Sequence, residues 1–485
     1  MKRMNLLVMS LVSAAALSFT SCSSNDDLAG NAGQAKVDQF YMTLTIQTPN
    51  SNGTRTVVNK PTVDATAAES DVTSGTFYLV DANNKIVFKK SISKEEWAEK
   101  KIPTQGTNGK TTLQVPVENV TAGTKYSVYF LANSESASPL TDVYTSDLAN
   151  KFAKAYSTAN NFAMFNENDA DVKANSHTVV FTSDNKDANS AAKVSSIINI
   201  ERLTARIDEP KSEASVIKPY AVDATASDEE KKANADAVKA VKGVTLTKYA
   251  ISNVANKTNV MQQWADATTL SIPSDISYFQ PTSEFGTKTL LQNYGYFNAV
   301  TTEKGKEKHK DYVFENNSSD AATSMYFEYR VELNQDYKDK ADIKDGTFYR
   351  YNKVIYSNIQ DIINDYKDQK AIFDGKDAST VIAELTAAKN DTTDPEAKLD
   401  EFRKKYDIEV FNAGKTYYVQ KIKDQYLGVE NTIQRNSIYL LNVKNIFNVG
   451  AQVPNGGPDD RTLYYLDVEV SVNPWVLNSY DVDLQ

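Results

Sequence analysis

Phe40, Met42, Leu44 and Ile46 alternate with Tyr41, Thr43, Thr45 and Gln47. A period of two puts all the apolar side chains on one face of an extended strand, and that face has to lie against a core. Burying it contributes on the order of 6–10 kcal/mol gross, before the entropy of ordering is subtracted. The strand spans Val37 to Thr48 and runs into a soft loop, Pro49-Asn50-Ser51-Asn52-Gly53-Thr54, that closes on Arg55-Thr56. A chain with such a strand at its start is committed to building a sheet around it.

Length and composition bound what surrounds that strand. A chain of 485 residues is long for one domain, so two are expected, each able to bury a sizeable core. Tyrosine is abundant at 27 residues, Thr and Val are frequent and Leu is sparse, which favours strands and amphipathic surfaces over helical bundles. The net charge of −10 argues against nucleic acid or anionic lipid as a partner. One cysteine, Cys22, excludes an intramolecular disulfide. With His177 and His309 far apart and no Cys/His cluster, neither a zinc site nor any other cofactor is expected.

The first residues, Met1-Lys2-Arg3 followed by the apolar and small run Leu6 to Phe19, read as a secretory signal, too short for a comfortable membrane span. Leu17-Ser18-Phe19-Thr20-Ser21-Cys22 resembles a bacterial lipobox. Residues 1–21 are then a signal peptide, Cys22 the lipidated residue and 22–36 a flexible tether, with several acyl chains needed for stable anchoring. The acidic patch Ser23-Ser24-Asn25-Asp26-Asp27 resembles surface-export signals of Bacteroidetes lipoproteins.

Further strands are expected at 76–80, 86–88, 111–117, 126–131 and 178–181, with a hairpin turn at Asp81 to Lys85 and a short helix capped by Ser93. Residues 194–207 read as one long, bent strand. Many short strands separated by turns indicate a sandwich or barrel. The composition turns charged and Ala-rich after Asp208, where the domain boundary is placed, and a helix from Ser227 to Val241 has Gly243 beyond its end. Strands return at 244–253 and 324–334. Helices at 358–373, 378–388 and 395–406 read as an insertion in the second sheet domain, before strands at 411–421, 438–449 and 463–472. Pro474 cannot donate to a ladder and is expected to end the last of these. The tail beyond it carries Val476, Tyr480, Val482 and Leu484 on one parity, a second isolated alternating strand.

No phosphate loop, dinucleotide fingerprint or nucleophile elbow is present, and His177 and His309 sit in polar surroundings unsuited to a Ser-His-Asp site, so no enzyme is expected. Asp339 to Gly346 lacks the closing Glu of a calcium loop. Tyr349, Tyr351 and Tyr356 fit a sugar-stacking surface, but strand packing is the preferred reading. The two terminal strands are the remaining signal: removing one strand from a sandwich exposes a groove that another chain's strand can fill, and such head-to-tail contacts propagate.

The lipobox, the first strand, Glu201-Arg202-Leu203-Thr204-Ala205-Arg206-Ile207, Phe314-Glu315-Asn316, Lys415-Thr416-Tyr417-Tyr418, Arg435-Asn436-Ser437-Ile438-Tyr439 and the ending from Trp475 to Leu484 resemble the Bacteroidales fimbrillins, subunits of type V pili. The resemblance spans nearly the whole chain. It implies a mainly β fold of two transthyretin-like, Greek-key β-sandwich domains, here 56–207 and 208–475, the second with helical insertions. It implies export as a lipoprotein to the outer membrane, cleavage after a basic residue by a trypsin-like protease, and polymerisation by strand exchange into an extracellular fimbrium that supports adhesion and biofilm formation. On this sequence Arg55-Thr56 is the cleaved bond and 37–55 the removable segment, with Phe40, Met42, Leu44 and Ile46 its anchors. Residues 476–485 are the donor strand, with Val476, Tyr480, Val482 and Leu484 its anchors. The partners implied are further copies of the chain, related fimbrial subunits, the protease, and ligands on host or bacterial surfaces.

A shaft subunit is preferred, because the chain has both a cut site and a free tail. The alternatives are a tip or anchor subunit, a monomeric surface lipoprotein that binds glycan or host protein, and a hydrolase using unrecognised carboxylates.

Overall fold

The alternating segment forms strand β1 (Phe40–Gln47). In the computed structural model the residues described are 38–48, 63–102, 110–133, 140–144, 147–148, 153–168, 176–221, 224–266, 269–279, 297–369, 372–422, 424, 431–454 and 466–477. Among them the fold is mainly β, in several sheets, with a few helices.

The first sheet contains β1, β3 (Gly75–Val80), β4 (Ile86–Ile92), β5 (Lys110–Val117), β6 (Lys125–Ala132), β7 (Met164–Asn166) and β10 (Ile198–Arg202), in the order β4-β3-β6-β7-β10-β1-β5. Two short strands join it from the side, β8 (Thr178–Val180) against β6 and β9 (Ala192–Lys193) against β1. The hairpin between β3 and β4 turns as expected: the Asp81 carboxylate accepts from the amides of Asn83 and Lys85, each at 2.9 Å, and Asn84 takes a left-handed φ of 62°. The helix α2 (Lys94–Lys100) opens on a reciprocal cap, in which Ser93 Oγ accepts from Glu96 N and Glu96 Oε2 accepts from Ser93 N.

The central strands of this sheet are apolar on both faces because both are covered. Phe77 and Leu79 of β3 join one cluster with Val128 and Phe130 of β6, while Tyr78 and Val80 join another with Tyr129 and Leu131. That arrangement explains the continuous apolar run Phe77-Tyr78-Leu79-Val80, which an open sheet face would not need.

Residues 194–207 do not form one bent strand. The chain makes β10, breaks at Leu203-Thr204, and starts β11 (Ala205–Asp208) in a different sheet. The break is held from outside: Leu203 N donates to Ala163 O, and Asn436 N donates to Thr204 O. The second sheet runs β2 (Val63–Ala65), β20 (Leu466–Leu477), β19 (Ser437–Ile446), β11, β13 (Lys310–Val313). A third sheet centres on β12 (Val241–Ser252), β14 (Ser324–Leu333) and β18 (Lys415–Lys421).

The helix α3 (Asp228–Ala240), capped by Ser227, passes directly into β12, so Gly243 lies inside a strand rather than ending the helix. The expected 358–373 helix is shorter, α4 (Ile359–Asp365), because Tyr366 leaves helical geometry. It is followed by α5 (Ala378–Lys389) and α6 (Pro395–Tyr406). These three helices share a core with a small sheet of β15 (Phe348–Tyr351), β16 (Val354–Tyr356) and β17 (Glu409–Phe411). Tyr349 and Tyr356 are buried in that core, so they serve packing rather than an exposed sugar platform.

Pro474 does not end the last strand. β20 passes through it to Leu477. Pro474 stands opposite Ser437, the first residue of β19, so its missing N–H falls where that ladder stops. Beyond it, Trp475, Val476 and Leu477 pair in parallel with Val63, Asp64 and Ala65 of β2.

Leu44 is buried in the first core, and Leu44→Ala should lower stability by about 2–5 kcal/mol in urea unfolding, whereas Thr43→Ala on the other face should change it by less than about 0.5 kcal/mol.

Candidate functional site

The first component is β1 and its cradle. It lies antiparallel to β5 over its full length, from Phe40 opposite Val117 to Gln47 opposite Lys110. Its other edge is shared: β9 pairs in parallel with Met42 and Thr43, and β10 with Ile46 and Gln47. Val194 N adds a hydrogen bond to Thr43 O at 3.0 Å. Phe40, Met42, Leu44 and Ile46 are each at most 3% exposed and enter the core formed with β3, β5 and β6. Phe181 meets the Phe40 ring edge-on at 5.6 Å between centroids, and Lys186 Nζ stands 5.6 Å from that ring. β1 is therefore an interior strand, held by apolar burial and by ladders on both edges.

The second component is the end of β20. Val476 was expected in a free tail, but its backbone lies in the parallel ladder opposite Asp64. Cys22, Arg55, Thr56, Tyr480, Val482 and Leu484 lie outside the described residues.

The third component is a pair of buried arginine clusters where the chain leaves the first sheet for the second. Arg202, the last residue of β10, is fully buried. Its Nε donates to Glu69 O at 2.7 Å, Nη2 to Ser70 Oγ at 2.8 Å and Nη1 to Asn436 Oδ1 at 2.9 Å. Glu69 and Ser70 close the single-turn helix α1 (Ala67–Ser70) that comes after β2. Arg206 in β11 grips Asp208 with two bonds, at 2.7 and 3.1 Å, and reaches Glu69 Oε1 with Nη1 at 2.9 Å. Lys310 Nζ and Tyr312 OH approach the same carboxylate oxygen at 3.6 and 3.3 Å.

Arg435, also fully buried, donates Nη2 to Glu315 Oε2 at 2.7 Å and to Asn259 O at 2.6 Å, and Nη1 to Val260 O at 2.8 Å. Gln262 Nε2 donates to the other Glu315 oxygen at 2.7 Å, and Glu201 Oε1 lies 3.9 Å from Arg435 Nη1. Segments far apart in sequence, 201–206, 314–316 and 435–437, thus meet at one place.

Electrostatics follow from burial and pairing. Burial alone would raise Glu69, but the Thr66 amide, Arg206 and Lys310 outweigh it and hold the carboxyl below its ordinary range. Burial pushes the Arg202 guanidinium down to about 9, still charged at neutral pH. Burial acts in the same direction on Arg206, but its bonds to Asp208 and the charges of Asp208 and Glu69 prevail and raise it.

Residue-by-residue reading of the sequence missed Glu69, Arg202, Arg206, Glu315 and Arg435 as a working set. Two signals were present: the capping-box spacing of Thr66 and Glu69, and charges at 201, 202 and 206 inside an otherwise apolar run. Among the described residues no group of three His, Cys, Asp or Glu is arranged to hold a metal, and no helix is long and apolar enough to cross a membrane.

Residues 409–481 match the family described as major fimbrial subunit protein type IV, Fimbrillin, C-terminal. The match covers β17 to β20 and includes Arg435 and Asn436. No curated protein matches the chain. Among solved structures, a candidate cell adhesion protein from Parabacteroides distasonis ATCC 8503 is similar at 12% identity and a TM-score of 0.45, over 90% of this chain and 97% of that one. A fimbrial assembly protein from the same organism is similar at 12% identity and a TM-score of 0.31, over 61% and 82%. The fimbrial anchor protein Mfa2 from Porphyromonas gingivalis is similar at 10% identity and a TM-score of 0.27, over 59% and 77%. The resemblance read from the sequence is borne out in that C-terminal stretch, and the solved structures similar to the chain include fimbrial and adhesion proteins.

Two outcomes are expected of the clusters. Removing the partner of a buried arginine leaves an uncompensated charge, so Glu315→Ala should cost about 3–5 kcal/mol in chemical denaturation. A carboxyl held below its ordinary value contributes stability above its unfolded pKa, and that contribution is lost as the pH falls through the folded value. From about pH 7 to about pH 3 the urea midpoint of the unaltered protein should therefore fall more steeply than that of Glu69→Gln.

Proposed function

We propose that this protein is a structural, non-enzymatic shaft subunit of a bacterial surface fimbrium. It is made as a lipoprotein anchored in the outer membrane through Cys22, cut behind Arg55 by a trypsin-like protease, and joined head to tail to other subunits by strand exchange. The observation that carries this reading is β1. It is an interior strand, bonded on both edges and apolar on its inner face, yet it joins the rest of the fold through residues 49–62, where Arg55 lies. Cutting there frees the strand without cutting any other element among the described residues.

Loss of β1 leaves the ladder groups of β5, β9 and β10 unpaired beside an apolar trough, a surface that favours entry of another strand. Residues 478–485 contain Tyr480, Val482 and Leu484 at the matching period of two. The donor and the trough are formed by different segments of the chain, so the contact is heterologous and extends into a filament. The C-terminal fimbrillin match supports the same reading. A division into two transthyretin-like sandwich domains belongs to the proposal. It is supported by the change of sheet at Leu203-Thr204 and by one apolar cluster drawn mainly from residues 40–200 and another from 205–449. Related fimbrial subunits and ligands on host or bacterial surfaces are its proposed partners.

Protease treatment of the precursor should release a form beginning at Thr56, read by N-terminal sequencing, that assembles into filaments visible by electron microscopy. Arg55→Ala should remain monomeric, and a subunit lacking 478–485 should be cut and folded but unable to extend a filament. Filaments from uncut Arg55→Ala protein would overturn the mechanism.

A further inference from the structure

The end of β20 is held by an element on the mature side of the proposed cut. Up to Pro474, β20 is paired with β19. Past that point its ladder partner among the described residues is β2, on the opposite edge, with Val63, Asp64 and Ala65 beside Trp475, Val476 and Leu477. Three residues of parallel strand are too few to stay in place by themselves. β2 is fixed instead by its own last residue and by the helix α1 behind it. Ala65 is buried in the first core, and Asn160 N donates to Ala68 O at 2.6 Å. The Glu69 carboxylate caps its own helix through Thr66 N at 2.9 Å and takes the Arg206 guanidinium at 2.9 Å. Arg202 binds Glu69 O and Ser70 Oγ with two nitrogens and Asn436 Oδ1 with the third, and Asn436 immediately precedes β19. One guanidinium therefore ties α1 to the start of the strand against which β20 is laid.

We infer that β2 and α1 form a clasp that fixes the root of the C-terminal strand, with Glu69 as its lock and Arg202 and Arg206 as its keepers. Its place in assembly rests on the function proposed above, because the segment it roots is the donor. A donor rooted at Leu477 starts from the same place on every subunit of the filament. The clasp also restricts processing: β1 has to be severed before Val63, since a cut beyond Ala65 removes the clasp along with the strand. Arg55 satisfies that requirement. Glu69 is thus a positioning residue, acting on the donor segment through β2.

Hydrogen exchange on the full, uncut chain, kept monomeric by Arg55→Ala, tests the clasp without any filament. Glu69→Gln should raise exchange at 475–477 by roughly tenfold while 466–473 stay as protected as in the unaltered protein. Glu69→Asp should recover part of the protection, which a general loss of stability would not do. If Glu69→Gln fails to fold, the milder Ser70→Ala, which removes one Arg202 contact, should give a smaller rise at the same three residues. Unchanged protection at 475–477 in a folded variant, or a rise spread evenly over β20, overturns the clasp. Assembly is read separately. With unaltered subunits polymerising, Glu69→Gln subunits that extend filaments at the same rate overturn its role in assembly. Unaltered subunits that never polymerise overturn the fimbrial reading, and the exchange data then judge the clasp alone.

Discussion

A guanidinium with no exposed surface tolerates few arrangements around it. Arg202 and Arg435 each need their donors met by acceptors that are also dry, and replacing or moving one acceptor leaves a buried charge in apolar surroundings. Their acceptors come from α1, from the 258–260 segment, from Glu315 beside β13 and from Asn436 before β19. These segments can be assembled in one way only if all the bonds are to be made. Such networks add little net stability compared with a well-packed apolar alternative, but losing one partner of a buried charge is costly. Here the charges sit at the point where the chain leaves one sheet for another.

β1 is held in a different manner. Its attachments are apolar side chains in a trough and backbone ladders on each edge. Neither is tied to a particular sequence. Apolar burial is non-directional and accepts residues of similar size, and a ladder accepts any backbone but proline's. Under the proposed reading a strand of equal period takes the place of β1, whereas α1 is held by ionic and polar contacts specific to its own residues. The fold thus separates an element held by apolar burial and backbone ladders from one bound by specific ionic contacts, with residues 49–62 and β2 between them.

Legibility in the sequence depends on the range of the forces involved. The faces of β1, the β3–β4 turn, the Ser227 cap and the start of α6 at Asp394-Pro395 are set by neighbours a few residues away, and all were legible. The break at Leu203-Thr204 was not, because the apolar run on both sides suits a continuous strand. It depends on Asn436 and on the Arg202 side chain, whose partners are remote in sequence. The passage of β20 through Pro474 was misread for the same reason. Proline's lost donor matters only if a partner carbonyl waits for it, and the ladder with β19 happens to stop there. β2, three residues long, has no periodicity to detect. Of the site, the residues of β1 could be found from their alternation. The clasp could not, since Glu69 alone reads as a helix cap and gains its second role only from two arginines more than a hundred residues away.

The ladder at Val476 alters the balance of the proposed exchange. With Val476 committed to β2, the segment beyond offers three apolar anchors, Tyr480, Val482 and Leu484, against the four of β1. One side chain fewer is a deficit of roughly 1.5–3 kcal/mol for the incoming strand. While residues 49–62 are intact, β1 also has the advantage of being intramolecular. An effective concentration of about a millimolar against about a micromolar of free subunits is a factor of about a thousand, or about 4 kcal/mol. Under the proposed reading these terms together would keep the uncut precursor closed even when other subunits are plentiful, and cleavage would remove the larger of the two. The remaining deficit is then opposed by where the severed fragment goes: under the proposed reading it stays joined to Cys22 at the membrane, while the subunit it left moves outward with the growing filament. The lipid anchor and the cut behind Arg55 would then act on the same step, one releasing the strand and the other keeping it from returning.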